Sequence, residues 1–345
     1  MPRRVLPGLV ALARSASALV VSAVFTSAAF ASVLAAQRGT VHTDTVWSQA
    51  LGTRKQLVVY LPPSYAAPDA ATRRYPVAVY LHGFFGSERD WTVQGRLAAT
   101  MDSLVAAGMP EMIIVMPDGD DGWWTTWHRL IDVSVCRRTP RQENADTYCV
   151  PWLKYDDYVA SDVVTWTDTH YRTLAQRASR AIAGLSMGGY GAISLAARFP
   201  ATFAVAASHS GVLRPALMTD SSTLATTGRV TLRDARTRDE LRATSGARWE
   251  RIEAAFGQDS VSWMSRDPTR LLQRLRTTGT PLPTMYVDVG TDDYLLPMNR
   301  SFRDEMARLQ MPLTYAEFPG RHDWAYWTAH LAGSLRFISE RLITR

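Results

Sequence analysis

Residues 184–189, Gly184-Leu185-Ser186-Met187-Gly188-Gly189, join a short apolar run, Ala181-Ile182-Ala183, to a helix-like segment at 190–198. Few backbone paths satisfy that order. A strand has to turn straight into a helix with a serine at the corner, and so tight a turn demands small neighbours. Gly184 and Gly188 lack the Cβ atoms that would clash, which leaves the Ser186 hydroxyl pointing into open space from a strained backbone. The first-turn N–H groups and the positive end of the helix then face the place where a negative oxygen would form. Such a corner suits a nucleophile, provided the rest of the chain supplies a base and an acid.

The surrounding pattern fits a parallel sheet. Residues 41–61 alternate apolar and polar side chains in two pieces, broken at Leu51-Gly52-Thr53, and read as a β-hairpin. Short apolar or β-branched runs at 76–81, 112–116, 178–183, 203–207, 284–289 and 313–318 read as buried strands. Helical periodicity separates them at 97–107, 155–171 and 324–342, with a further helix beginning near Leu296. Strands that alternate with helices predict an α/β fold, a mostly parallel central sheet with helices on both faces. The antiparallel hairpin belongs at one edge. Two stretches interrupt the rhythm, near 123–152 and 215–282. Within the second, 219–247 is polar and turn-rich, and helical pieces follow at 249–256 and 268–275. It reads as an insertion over the active-site end of the sheet, either a lid or a plain solvated connector.

Chain order restricts the catalytic partners. In the α/β-hydrolase arrangement the order is Ser, acid, His, and only His209, His322 and His330 follow Ser186. His209 has no candidate acid between it and the serine, and His330 lies inside the last helix in a packing or surface role. His322 stands in Gly320-Arg321-His322-Asp323-Trp324, a loop between the last strand and the last helix, where a base would reach the serine. The acid should follow the strand at 284–289, where Asp292 and Asp293 are both available. One would accept the Nδ1–H of His322 and the other would cap the next helix; spacing leaves both open. Asp288 inside the strand and Asp304 on a helix are poor candidates. One oxyanion donor is the Met187 amide, and Gly83 and Gly86 in His82-Gly83-Phe84-Phe85-Gly86 allow the Phe84 amide to be the second.

From about residue 40 to the C-terminus the chain resembles the esterase D group of α/β-hydrolases. That group includes S-formylglutathione hydrolases, feruloyl and acetyl-xylan esterases, enterochelin-type esterases and the antigen 85 mycolyltransferases. The resemblance is carried by Val59-Tyr60-Leu61-Pro62-Pro63-Ser64-Tyr65, by Leu81-His82-Gly83 through Trp91, and by Tyr155-Asp156-Asp157-Tyr158. It continues through 184–191, Gly290-Thr291-Asp292-Asp293 and 320–324. It implies Asp293 as the acid, three residues after the glycine, and Phe84, after His-Gly, as the first oxyanion amide. There are departures. Arg321 stands where a second glycine is frequent, the mycolyltransferases usually carry Glu as the acid, and the loop at 123–152 is longer than usual. Asp118-Gly119-Asp120-Asp121-Gly122 lacks the distal glutamate of a calcium loop and reads as a strand-end loop.

The expected activity is that of a serine carboxylesterase using Ser186, His322 and Asp293, with no metal or organic cofactor. Transfer of the acyl group to a sugar or lipid hydroxyl, and a non-catalytic cell-wall or carbohydrate-binding role, remain the alternatives. Trp123, Trp124, Trp127, Trp324 and Trp327 offer aromatic surface for an acyl or sugar group, with Trp124 and Trp324 the expected substrate contacts. The substrate is expected to be a small-molecule or polysaccharide-linked ester; the oligomeric state is not legible.

The N-terminus reads as an export signal. Arg3 and Arg4 precede an apolar core at 16–25, and cleavage is expected after Ala31 or Ala36, with an uncleaved anchor over 16–36 as the competing reading. A secreted or periplasmic protein follows, with no stable membrane insertion after cleavage and a single domain over 37–345. Three of the formal +6 charges sit on Arg3, Arg4 and Arg14, and the remaining +3 is too mild to argue for nucleic acid. Cys136 and Cys149, the only cysteines, bracket a polar stretch and are expected to pair in an oxidising compartment.

Overall fold

The computed structural model describes residues 38–138, 145–150, 152–227 and 230–344; the expected export segment and its cleavage sites lie outside them. The expected hairpin forms from β1 (Thr40–Ser48) and β2 (Thr53–Leu61), turning at Leu51-Gly52. β3 (Val77–Leu81), α1 (Leu97–Ala106) and β4 (Ile113–Pro117) follow, then α2 (Val164–His170), β5 (Arg180–Leu185), α3 (Met187–Arg198) and β6 (Val205–His209). The chain continues through β7 (Leu217–Thr219), β8 (Leu232–Asp234), α4 (Arg238–Ser245), α5 (Trp249–Phe256) and α6 (Pro268–Thr277). It ends with β9 (Thr284–Gly290), α7 (Leu296–Arg308), β10 (Thr314–Phe318) and α8 (Trp324–Ser339).

Eight strands form one sheet in the order β1-β2-β4-β3-β5-β6-β9-β10. The hairpin joins antiparallel, β2 against β4, and every pair from β4 to β10 is parallel. Parallel strands need both faces covered, and the apolar runs supply two cores. Val77, Val79 and Leu81 of β3 face one core, with Ile193 of α3 and the α5 and α6 side chains. Ala78 and Tyr80, one residue out of phase, face the other, with Met101 of α1 and Leu331 and Leu335 of α8. The period of two along one strand therefore assigns each helix to its layer.

Two local differences from the sequence expectation have physical causes. The helix expected over 155–171 is interrupted by a wide turn at Tyr158–Val163 before α2 begins. Asp162, in that turn, accepts the Ser48 hydroxyl at 2.6 Å and the Ala50 amide at 3.0 Å, tying it to the β1–β2 corner. The polar stretch at 219–247 is more ordered than its composition suggests. β7 and β8 pair antiparallel there, and α4 begins with a capping box in which Thr237 accepts the Glu240 amide.

Candidate active site

The corner is as tight as the glycines imply. Ser186 sits at φ 53° and ψ −114°, off the allowed regions for a side-chain-bearing residue. A Cβ on Gly184 would lie 2.4 Å from the Gly188 carbonyl oxygen, and one on Gly188 would lie 2.4 Å from that of Leu81. Neither contact is tolerable, so β5, the corner and the loop after β3 can approach this closely only with glycine at both positions. Of the described non-glycine residues at positive φ, Phe85, Asp120, Trp123, Trp124, Ser186 and Ser210 fall in these strand-end loops, leaving only Arg96 and Gln310 elsewhere. Each costs on the order of 1–3 kcal/mol and persists only where the surroundings enforce it.

His322 hangs in the loop between β10 and α8. Its Nε2 is 2.9 Å from Ser186 Oγ, and its Nδ1 is 2.9 Å from Asp293 Oδ2 and 3.1 Å from Oδ1. An ionised carboxylate only accepts, so Nδ1 carries the proton and Nε2 presents its lone pair to the serine. Two loops hold this geometry. Asp323 accepts the Tyr326 amide at 3.0 Å and starts α8, while the Asp292 amide donates to the Gly320 carbonyl at 2.9 Å, binding the acid loop to the histidine loop. The Asp293 carboxylate is fully buried and also accepts the Leu295 amide at 2.8 Å.

Of the two adjacent aspartates, then, Asp293 meets the histidine and Asp292 is exposed. The expectation that the second carboxylate caps the next helix is not met: α7 has Leu295 at its N-cap and no side-chain cap. His330 packs as expected, its ring stacked 4.3 Å from Phe318, and burial there depresses its pKa.

The amides of Phe84 and Met187 donate to no protein acceptor among the described residues. Both residues line a cavity of about 620 Å³ together with Ser186, His322, Trp123, Phe256 and Trp263. The insertion supplies one wall through Thr244, Arg248 and Ile252. Trp324 also lines the cavity. Trp124 does not. It is wholly buried, packs against Gly119 and Gly191, and donates Nε1–H to the His82 carbonyl at 3.2 Å. Its neighbour Trp123 is the one that reaches the cavity, because successive left-handed residues at 123 and 124 turn adjacent side chains to different sides. Trp127 is likewise buried, with Nε1–H on the Gly122 carbonyl at 2.8 Å.

The aspartate-rich loop after β4 holds ion pairs. Lys55 reaches Asp118 at 2.7 Å and Asp120 at 2.8 Å, and burial, with the Asp118 charge, pushes the Asp120 carboxyl up. Cys136 and Cys149 are joined in a disulfide, as expected, with their Cα atoms 5.8 Å apart. No helix among the described residues is long and apolar enough to cross a membrane.

A feature the sequence did not disclose lies behind the corner. His209 Nδ1 is 2.9 Å from Asp288 and its Nε2 is 2.8 Å from Ser334 Oγ, all three wholly buried. The signal was present only as register: His209 on β6 and Asp288 on β9 are direct partners across the sheet.

Known proteins resemble this chain along most of its length. An esterase of Mycobacterium tuberculosis is 28% identical over 291 residues, covering 80% of this chain and 54% of that protein, so the chain spans about half the length of this relative. A ferulic acid esterase structure superposes with a TM-score of 0.63 at 25% identity, covering 88% of this chain and 98% of that one. A fluorophosphonate-binding serine hydrolase of Staphylococcus aureus shares the fold with a TM-score of 0.64 at 21% identity, covering 88% and 99%. The family described as "Putative esterase" matches residues 48–338, and with the α/β-hydrolase sheet and the serine corner in place, the chain belongs to that esterase family.

Proposed function

We propose that this chain is an exported serine carboxylesterase. Ser186 Oγ attacks the ester carbonyl carbon while His322 Nε2 takes the hydroxyl proton. Asp293 holds the imidazole in the required tautomer and offsets the positive charge it gains. The carbonyl oxygen, now negative, receives the Phe84 and Met187 amides. Collapse of the tetrahedral adduct expels the alkoxide, which takes the proton from His322 and leaves as the alcohol. Water then repeats the sequence on the acyl-enzyme and frees the acid and Ser186.

The observation that carries this reading is the unbroken line of hydrogen bonds from Asp293 through His322 to Ser186 at the wall of a cavity. Phe84, Trp123, Phe256 and Trp263 give that cavity an apolar side suited to the acyl group, and Trp324, also in its lining, offers aromatic surface to the alcohol portion. The disulfide favours export to an oxidising compartment. The test is turnover of a p-nitrophenyl ester by wild type and Ser186→Ala. The reading expects the variant to be inactive; wild-type turnover in it contradicts the assignment.

A further inference from the structure

An amide that is to stabilise a transient oxyanion has to be held where the negative charge will appear, because a donor that must first reorient contributes little. The Phe84 amide lies between Gly83 and Gly86; its own peptide is held at the Gly83 carbonyl, which accepts His82 Nδ1 at 2.8 Å and the Gly86 amide at 3.2 Å, and the next peptide is held from outside the loop. The peptide linking Phe84 to Phe85 is held on its Phe85 side: the Phe85 amide, at φ 68°, donates to Asp121 Oδ1 at 2.7 Å. Asp121 is wholly buried in the loop after β4, and its other oxygen lies 3.7 Å from Arg251 Nη2. Every polar part of Asp121's backbone is engaged as well. Its amide donates to the Thr147 carbonyl at 3.2 Å, and its carbonyl accepts Arg251 Nη2 at 3.0 Å.

Arg251 comes from α5, inside the insertion. Its guanidinium sits 5.1 Å from the Phe84 ring and 3.9 Å from the Tyr148 ring, and it also donates to the Tyr148 carbonyl. Thr147 and Tyr148 directly precede Cys149, so the disulfide-closed loop, through the Asp121 amide, and the insertion, through Arg251, converge on one residue. We infer that Asp121, braced by Arg251 and the Cys136–Cys149 loop, is a positioning residue that presets the Phe84 amide for the oxyanion. This rests on the esterase reading above. It gives the two segments that most interrupt the regular strand-helix pattern a shared purpose: residues of both brace the aspartate that holds the oxyanion loop.

The test compares wild type, Asp121→Ala and Asp121→Asn on p-nitrophenyl acetate, with the affinity for a trifluoromethyl ketone measured alongside. That inhibitor forms a tetrahedral oxyanion on the serine, so it reads the same donors as the transition state. Asp121→Ala is expected to lower kcat on the order of 10²-fold with KM little changed, and to weaken the ketone by a similar factor. Asparagine keeps an acceptor for the Phe85 amide and is expected to restore most of both. A folded Asp121→Ala with wild-type kcat and ketone affinity overturns the inference, as does a loss confined to KM. Should that variant not fold, Arg251→Gln carries the same paired readout: kcat and ketone affinity falling together support the inference, and unchanged values overturn it. Ser186→Ala run in parallel separates the two claims. If it is inactive while Asp121→Ala is unaffected, only this inference fails; if it retains turnover, the esterase reading fails and takes the inference with it.

Discussion

Two Ser–His–Asp lines run through this molecule, and their bond lengths are nearly the same. His322 lies 2.9 Å from Ser186 and 2.9 Å from Asp293; His209 lies 2.8 Å from Ser334 and 2.9 Å from Asp288. What separates them is the backbone around the serine. Ser186 stands on a strained corner at a cavity, beside two amides that donate to no protein acceptor among the described residues. Ser334 lies inside α8, wholly buried, and gives its own proton to the Leu331 carbonyl at 3.0 Å. It lines neither the cavity at Ser186 nor the surface pocket at Arg198 and Arg274. Hydrogen-bonded proximity therefore does not by itself mark a reactive site. Access for substrate and amides for an oxyanion are what the proposed site adds.

Parallel substitutions in the two lines can break that contrast. The largest difference is expected between the serines. Ser186→Ala should cost on the order of 10⁴-fold or more in kcat/KM, whereas Ser334→Ala should stay within about 3-fold; ester hydrolysis measures both. The acids should divide by kind of effect. Asp293→Asn leaves the fold in place but disturbs the imidazole tautomer, and should lower kcat by about 10²–10⁴-fold. Asp288→Asn should leave kcat within about 10-fold yet destabilise the fold by roughly 1–3 kcal/mol, since a neutral, weaker acceptor replaces the buried carboxylate that takes the His209 ring and the Tyr326 hydroxyl; urea unfolding reads that loss. A large kcat loss in Asp288→Asn at unchanged stability would merge the two lines into one functional unit.

Smaller effects sharpen the picture. Trp324→Ala removes aromatic surface from the cavity lining and should raise KM several-fold, while kcat moves less. Asp292→Asn should change kcat by less than about 2-fold, because its carboxylate is exposed and the loop contact it makes runs through its backbone amide. A loss in Asp292→Asn as large as that in Asp293→Asn would reassign the acid.

Strand positions and the order Ser186, Asp293, His322 were legible because periodicity and chain order are local or one-dimensional signals. The choice of Asp293 over Asp292 was not local. It came from family spacing, and the structure gives its reason: Asp293 turns inward to take the Leu295 amide and the histidine, while Asp292 bonds through its backbone. Two adjacent tryptophans look equivalent in sequence, which is why Trp124 is expected at the substrate; successive left-handed residues turn Trp123 to the cavity and Trp124 to the core. The His209–Asp288 pair depends on the register between β6 and β9, which no stretch of sequence encodes by itself. Thr237-x-x-Glu240 did carry a capping signal for α4, hidden within a polar stretch that read as turns.

The central claim is that Ser186, and not the equally well bonded Ser334, is the nucleophile. Labelling the folded protein with a fluorophosphonate and mapping the adduct by mass spectrometry tests it most directly. One label per chain, on Ser186, and none in Ser186→Ala is the predicted result. A label on any other serine, or none on the wild-type protein, would contradict it.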